Sequence, residues 1–203
     1  MKKDQLLIIF AKEPELGKVK TRLGRALGKE KALKIYLWLI KKMFKTFKTT
    51  DYEVKVYFTP RNKKLKALAP KRFKFKAQKG RDLGIRMLNA FQQNINLYGK
   101  VVLIGADCPF LNKRLINRSF RALDNYDVVL GPTEDGGYHL IGLTHIFPKI
   151  FTGIAWGKNS VLRQTLRKCK LLSIKPFLLK KTYDIDTIHD LKKWRKIDAN
   201  SKP

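Results

Sequence analysis

Acidic residues are scarce in this chain, with sixteen Asp and Glu set against forty-five Lys and Arg and a formal charge of +29. Any carboxylate placed beside a strand end therefore stands out. Two cysteines, Cys108 and Cys169, and three histidines complete the short supply of metal-binding side chains. The cysteines are far apart and form no CxxC pair, which excludes a disulfide framework or a zinc knuckle and fits a reducing compartment. His145 and His189 share no ligand-like spacing with each other or with a cysteine, so a structural zinc site has no frame. His139 lies within an apolar stretch and reads as a packed side chain. Cys108 has no paired histidine to make it a nucleophile. No run approaches the roughly 18 apolar residues of a membrane span, and residues 6–11 after MKKDQ are too few for a signal-peptide core. A cytoplasmic location is expected. Internal repeats and low-complexity linkers are also missing, so one domain over residues 1–203 is expected, with 200–203 a frayed tail.

The positive charge runs through every segment instead of forming one tail or stripe. A general lysine bias or a solvated face accounts for it as well as an anionic partner does, although such a field also draws in small anionic substrates. No zinc finger or RNA-binding aromatic motif organises it, so specific nucleic-acid binding is not expected.

What the chain does have is alternation of strand-like and helix-like segments. Residues 6–11 (LLIIFA) and 101–104 (VVLI) are continuous apolar runs of the kind found in strands covered on both faces. Residues 54–58 alternate as a half-buried strand, 73–77 form a weaker one, and 128–130 and 138–143 two more. Between them, residues 29–47 repeat apolar positions at helical spacing. Shorter helices are predicted over 65–69, 83–91, 113–123 with Asn112 as cap, from Ser160 to Arg167, and from Thr187 or Asp190 to Trp194. The alternation predicts an α/β domain with a mostly parallel sheet.

Four polar constellations follow apolar runs: residues 12–22 (KEPELGKVKTR), 105–109 (GADCP), 132–137 (PTEDGG) and 183–187 (YDIDT). In an α/β domain such loops gather at the carboxyl edge of the sheet, where ligands bind. In the first, Pro14 and Gly17 shape a tight excursion, and Lys12, Lys18, Lys20 and Arg22 supply the cations a diphosphate or triphosphate requires. Neither the GxxxxGK[ST] nor the GxGxxG spacing is present, and an ordinary basic turn is the alternative. Asp107 follows a buried strand and precedes Pro109, a placement suited to one position on an octahedral Mg²⁺ or to a capping turn. Asp135 with Gly136 and Gly137 reads either as a ligand-bordering loop or as a hairpin turn. Asp184 and Asp186 share a face of an extended segment and could complete a metal site with Asp107, while Asp186 or Thr187 could equally cap the last helix. Trp156 is either a substrate wall or a core-closing ring.

The segments FAKEPELGKVKTRL (10–23), QKGRDLGIRM (78–87), GADCPFL (105–111), PTEDGGYHLIGL (132–143) and YDIDTIHDL (183–191) resemble, in order and spacing, a family of bacterial and archaeal glycosyltransferase-like proteins of the DUF2064 type. That family is similar to the guanylyltransferases of cofactor F420 and molybdenum-cofactor synthesis. The resemblance implies the nucleotide-diphospho-sugar transferase (GT-A) fold, a Rossmann-like three-layer α/β/α sandwich with a mostly parallel mixed sheet. It also implies a metal-dependent transferase using Mg²⁺ or Mn²⁺ with a nucleotide sugar or a nucleoside triphosphate as donor and a small-molecule acceptor. Carried over by position, Lys20 and Arg22 would hold phosphates with Lys12 nearby, Gly17 would let the loop close, and Arg81, Asp82 and Gly84 would lie near the nucleoside. Asp107 would be the main metal ligand and Asp186 the second. Asp135, Gly136, Gly137 and Trp156 would border the acceptor. Leu16 stands where that family commonly has proline, and Gly157 and Lys158 where a small hydroxyl residue is common. Glycosyl transfer, nucleotidyl transfer with release of pyrophosphate, and a non-catalytic nucleotide- or nucleic-acid-binding role are the three functions these features admit.

Overall fold

The computed structural model describes residues 4–60 and 63–197. The element order is β1 (Gln5–Lys12), α1 (Thr21–Leu27), α2 (Lys29–Phe47), β2 (Glu53–Thr59), α3 (Lys63–Leu68), β3 (Lys74–Ala77), α4 (Leu83–Gln92), β4 (Lys100–Gly105), α5 (Lys113–Ala122), β5 (Val128–Pro132), β6 (Tyr138–Leu143), α6 (Val161–Leu171), β7 (Phe177–Leu178) and α7 (Ile188–Ile197), with a single 3₁₀ turn at Pro148–Ile150. The predicted tail 200–203 lies outside the described residues.

The strands form one sheet in the order β3-β2-β1-β4-β6-β5-β7. All neighbouring pairs are parallel except those of β6, which runs antiparallel to both β4 and β5. The β5–β6 connection is therefore a hairpin through residues 133–137, and the turn reading of Asp135-Gly136-Gly137 describes its backbone. Because β1, β2, β3 and β4 are parallel, their following loops emerge on one edge. The hairpin joins them there, since β5 ends and β6 begins at that edge.

Burial of β1 on both faces explains its unbroken apolar run. Leu7 and Ile9 enter a core shared with Ile40, Phe44, Ile116 and Phe120, while Leu6, Ile8 and Phe10 enter a second core with Met87, Phe91 and Phe151. The helices α2 and α5 cover one face and α4 the other, giving the three α/β/α layers that the resemblance implies. A third cluster sits beside the loop edge, where Leu23 of α1, Ile35 and Leu39 of α2, and Leu191 and Trp194 of α7 enclose Tyr183 and Ile185. Trp38 and Trp194 lie 4.7 Å apart there, and Phe110 meets Tyr183 edge-on at 4.9 Å.

Helix α1 was not predicted. Its seven residues include Gly24 and only one buried side chain, Leu23, too little apolar periodicity to be read against the basic loop before it. Ser160 precedes α6 but makes no capping bond; its Oγ accepts instead from Gln164 Nε2 at 2.7 Å.

Candidate functional site

The site begins with the chain leaving β1. Glu13 is buried, and its carboxylate accepts from the amides of Lys64 and Leu65 at 2.7 and 3.4 Å, so the first acidic residue after the strand caps α3 and stays out of the pocket. The hydroxyl of Tyr36 bonds both the amide and the carbonyl of Lys12 at 2.8 Å, pinning the strand end to α2. The loop then turns into α1 through Lys20, which has the left-handed conformation φ 48°, ψ 45°. A side chain in that region costs about 1–2 kcal/mol, a strain usually avoided by placing glycine there.

The consequence is a buried cation. Lys20 Nζ lies 2.9 Å from Asp107 Oδ1 and 3.0 Å from Asp186 Oδ1, with the lysine side chain only 2% exposed and the two carboxylates 46% and 42% exposed. Burial works against the lysine's charge, but Asp107 and Asp186 overcome it and hold its pKa above the ordinary value. Three residues from three loops thus converge on one point.

Those loops are tied together by backbone bonds. The amide of Ile185 donates to the carbonyl of Asp107 at 3.3 Å, Glu134 donates to Thr182, and Thr182 donates to Pro132. Along 183–186 the extended chain alternates: Tyr183 and Ile185 enter the third cluster, leaving Asp184 and Asp186 on the opposite face. Asp186 is not the helix cap. Thr187 and Asp190 exchange bonds in a capping box, in which Asp190 Oδ2 accepts from the amides of Asp186 and Thr187 at 3.2 and 2.7 Å and the Asp190 amide donates to Thr187 Oγ1. The Asp186 carboxylate is thereby left for Lys20.

Asp184 is the carboxyl that sequence reasoning left without a role of its own. Its Oδ1 is buried with no hydrogen-bond partner, and burial, reinforced by Asp107, pushes its pKa up to about 7. No spacing rule marks it, because the burial comes from neighbours distant in sequence.

Two adjoining cavities share this centre. One of about 470 Å³ is lined by Lys12, Lys20, Arg22, Gln78, Arg86 and Asp107, among others. The second, of about 430 Å³, has an apolar wall of Phe10, Leu83, Met87 and Trp156 and also meets Asp135 and Asp184. Arg22 lines both, and among the described residues its guanidinium has no ion pair or hydrogen bond. Gln78 is held by its amide group donating to the Tyr57 carbonyl at 2.9 Å, and Arg86 by a bond from Nε to the Gly80 carbonyl at 2.9 Å. Neither is marked by a motif of its own in the sequence, although Arg86 shares a helix face with Leu83 three residues earlier.

Other expected residues take different positions. Arg81 is 87% exposed and pairs with Asp82, whose Oδ1 caps α4 by accepting from Ile85 at 2.9 Å. Neither lines the two cavities. Gly84 is buried where a Cβ would stand 2.3 Å from the Phe151 carbonyl oxygen and 2.4 Å from Trp156 Nε1, so it serves close packing behind the tryptophan. Gly17 has φ +72° and faces the side chain of Lys29, bordering a separate hollow. Trp156 is half-buried, meets Tyr138 edge-on at 6.3 Å and lines the second cavity, acting as wall and core at once.

In the hairpin, Asp135 Oδ1 accepts from Thr133 Oγ1 at 2.6 Å and from the Gly137 amide at 3.1 Å. Gly136 is pressed against the chain at Asn159, whose carbonyl oxygen would lie 1.9 Å from an added Cβ, and its φ of +83° suits glycine alone. His139 is buried with its pKa lowered to about 4 by that burial, so it is a neutral packed residue, and its Nδ1 meets Thr182 Oγ1 at 3.2 Å. Cys108 is buried too, and its thiol is pushed up to about 12 by burial, the opposite of what a nucleophile requires.

No described helix is long and apolar enough to cross a membrane. Among the described residues, no three His, Cys, Asp or Glu side chains are grouped to hold a metal ion.

Comparison with known proteins adds four findings. A family model described as "Uncharacterized protein conserved in bacteria (DUF2064)" matches residues 42–158, more than half of the chain. A crystal structure from Desulfovibrio desulfuricans G20, under the provisional name nucleotide-diphospho-sugar transferase, is 34% identical with a TM-score of 0.91 and covers 98% of this chain and 89% of its own. The 4-diphosphocytidyl-2C-methyl-D-erythritol synthase of Anaerococcus prevotii DSM 20548 shares the fold at a TM-score of 0.62 and 11% identity, over 98% of this chain and 97% of its own. A 2-phospho-L-lactate guanylyltransferase of Methanocaldococcus vulcanius is 25% identical over 140 residues, 68% of this chain. The match spans 61% of that relative's length.

Proposed function

The chain belongs to the DUF2064 family, and from that premise we propose that it is a metal-dependent transferase acting on an activated nucleotide, glycosyltransferase-like, with a nucleotide-sugar donor. The observation that carries this reading is the convergence of Asp107 and Asp186 on one cation at the rim of a cavity lined by Lys12, Arg22 and Arg86. The donor's diphosphate would occupy that cavity, and Arg22, unpaired in the free protein, would take its oxygens.

The two carboxylates fit Mg²⁺ or Mn²⁺, which take few protein oxygens and complete their shell with phosphate and water. They already hold a positive charge between one oxygen each, and both act electrostatically on Asp184, whose Oδ1 is buried without a partner. Asp107 and Asp186 would hold the ion, and the chemistry it would supply there is electrostatic relief of the charge growing on the leaving group. Lys12, Lys20 and Arg22 would stabilise the remaining oxygens, and the apolar wall of Phe10, Leu83, Met87 and Trp156 would seat the acceptor and exclude water. Asp135 would accept the acceptor's hydroxyl proton through Oδ2, since its Oδ1 is engaged by Thr133 and Gly137.

A second reading, nucleotidyl transfer from a nucleoside triphosphate to a phosphorylated acceptor, is favoured by the similarity to the guanylyltransferase. An acceptor phosphate is already ionised and needs no base, so Asp135 would be dispensable. Thermal shift with each nucleoside triphosphate and the common nucleotide sugars, with and without Mn²⁺, tests both. Metal-dependent stabilisation by nucleotide sugars supports glycosyl transfer; stabilisation by triphosphates alone supports nucleotidyl transfer. Stabilisation by neither, with salt-sensitive binding of RNA and DNA alike, would point to a non-catalytic binding role.

A further inference from the structure

The seat where two carboxylates would hold a divalent ion is filled by the protein's own ammonium. The converging oxygens, Asp107 Oδ1 and Asp186 Oδ1, are the pair within 3.0 Å of Lys20 Nζ. An ammonium and a divalent ion compete for those two oxygens, because two cations within about 4 Å repel strongly outside bulk water. One of them must leave.

The surrounding packing decides which part can move. Val19 and Leu23 on either side are buried at 3% and 0% exposure, one in the first core and one in the third cluster, so the backbone here is fixed. The lysine side chain has a flexible four-carbon stem, and its cavity also contains Lys12 and Arg22, where a phosphate would supply a new partner. Lys20 reaches the two carboxylates from a left-handed backbone of φ 48° and ψ 45°.

Resting on the metal-dependent reading above, we propose that Lys20 is a tethered counter-ion exchanged for the metal, so that the divalent ion and the anionic ligand enter as a unit. With metal alone, the displaced ammonium would be left without an anion. With phosphate alone, the ligand would face carboxylates only half neutralised. Bound together, each supplies what the other displaces, so their affinities are positively coupled.

Mn²⁺ titration followed by electron paramagnetic resonance reads this directly in the full chain, with Mn²⁺ alone and then with inorganic pyrophosphate present, correcting for Mn²⁺–pyrophosphate complexes. Lys20→Met should bind Mn²⁺ alone at least about tenfold more tightly than the wild type, and pyrophosphate should add less to it than to the wild type. Asp107→Asn in the same background should remove the tight site. If Lys20→Met proves unfolded by circular dichroism, Lys20→Gly is titrated instead, since glycine adopts the left-handed conformation without strain. An Asp107-dependent Mn²⁺ site in the wild type whose affinity is unchanged or weakened by loss of the ammonium would overturn the exchange and leave the metal site standing. Absence of any Asp107-dependent Mn²⁺ binding, with or without pyrophosphate, would overturn the metal reading and the exchange together.

Discussion

The amide of Ile185 donates to the carbonyl of Asp107 across 3.3 Å, joining the loop after β4 to a segment nearly eighty positions later in the chain. That bond, with Ile185 itself wholly buried, fixes the backbone on which the two carboxylates of the centre are mounted. The side chains converge because their backbones are registered first.

Asp107→Ala should therefore remove the metal-dependent part of nucleotide binding while leaving the fold in place. The side chain is 46% exposed and its main-chain bond to Ile185 is untouched, so the thermal midpoint in the absence of ligand should move by only a few degrees. Loss of the Mn²⁺-dependent thermal shift with retained circular dichroism is the expected result. Global unfolding would assign the residue to structure instead.

Gly84→Ala tests the packing behind Trp156. The added methyl group would fall 2.3 Å from a carbonyl oxygen and 2.4 Å from the indole nitrogen, and the backbone atom cannot give way. Overpacking of this kind costs about 1–3 kcal/mol, and relief would come from displacing the indole into the second cavity. Lowered stability with a shifted tryptophan emission is expected; unchanged emission would mean that α4 yields and the ring does not.

His139 gives a pH signature. Its folded pKa is lowered to about 4 from the ordinary 6.5, so the unfolded chain binds the proton more readily between those values. The stability it contributes is complete above about pH 6.5 and is lost as pH falls through 4, a decline of up to about 3 kcal/mol. Urea denaturation at pH 7 and pH 4 in a chelator should show His139→Gln losing less stability over that interval than the wild type. Equal losses would place the acid sensitivity elsewhere.

These residues also show what the chain discloses before it folds. The doubly buried strands β1 and β4 and the long helix α2 are written in local apolar periodicity, which is why their centres were predicted closely. Strand β6 was predicted with its observed bounds, but its antiparallel direction was legible only as an alternative, since Asp-Gly-Gly serves a hairpin and a ligand loop equally well. Asp107 could be singled out because carboxylates are scarce here and it follows an apolar run, whereas Asp186 was preferred to Asp184 only through the family resemblance. Lys20 was placed on phosphate by its visible charge and by the family resemblance; its left-handed backbone and its pairing with the two carboxylates are not visible in sequence. Arg81 and Asp82 illustrate the converse, being prominent in a motif yet occupied with each other and with the α4 cap.

The capping box offers the last test, because it separates a positioning role from a structural one. Asp190 Oδ2 accepts from the Asp186 amide, the Thr187 amide and Thr187 Oγ1, at 3.2, 2.7 and 2.7 Å, and so fixes the backbone from which the Asp186 carboxylate projects. Asp190→Ala should cost about 1 kcal/mol through loss of the cap. A cap acting on helix stability alone would stop there. Acting through Asp186, the substitution should also weaken metal-assisted nucleotide binding several-fold under conditions where the variant is fully folded. In an Asp186→Asn background, by contrast, Asp190→Ala should keep its stability cost and have no further effect on binding. An additional loss of affinity in that background would show that Asp190 reaches the ligand by another route.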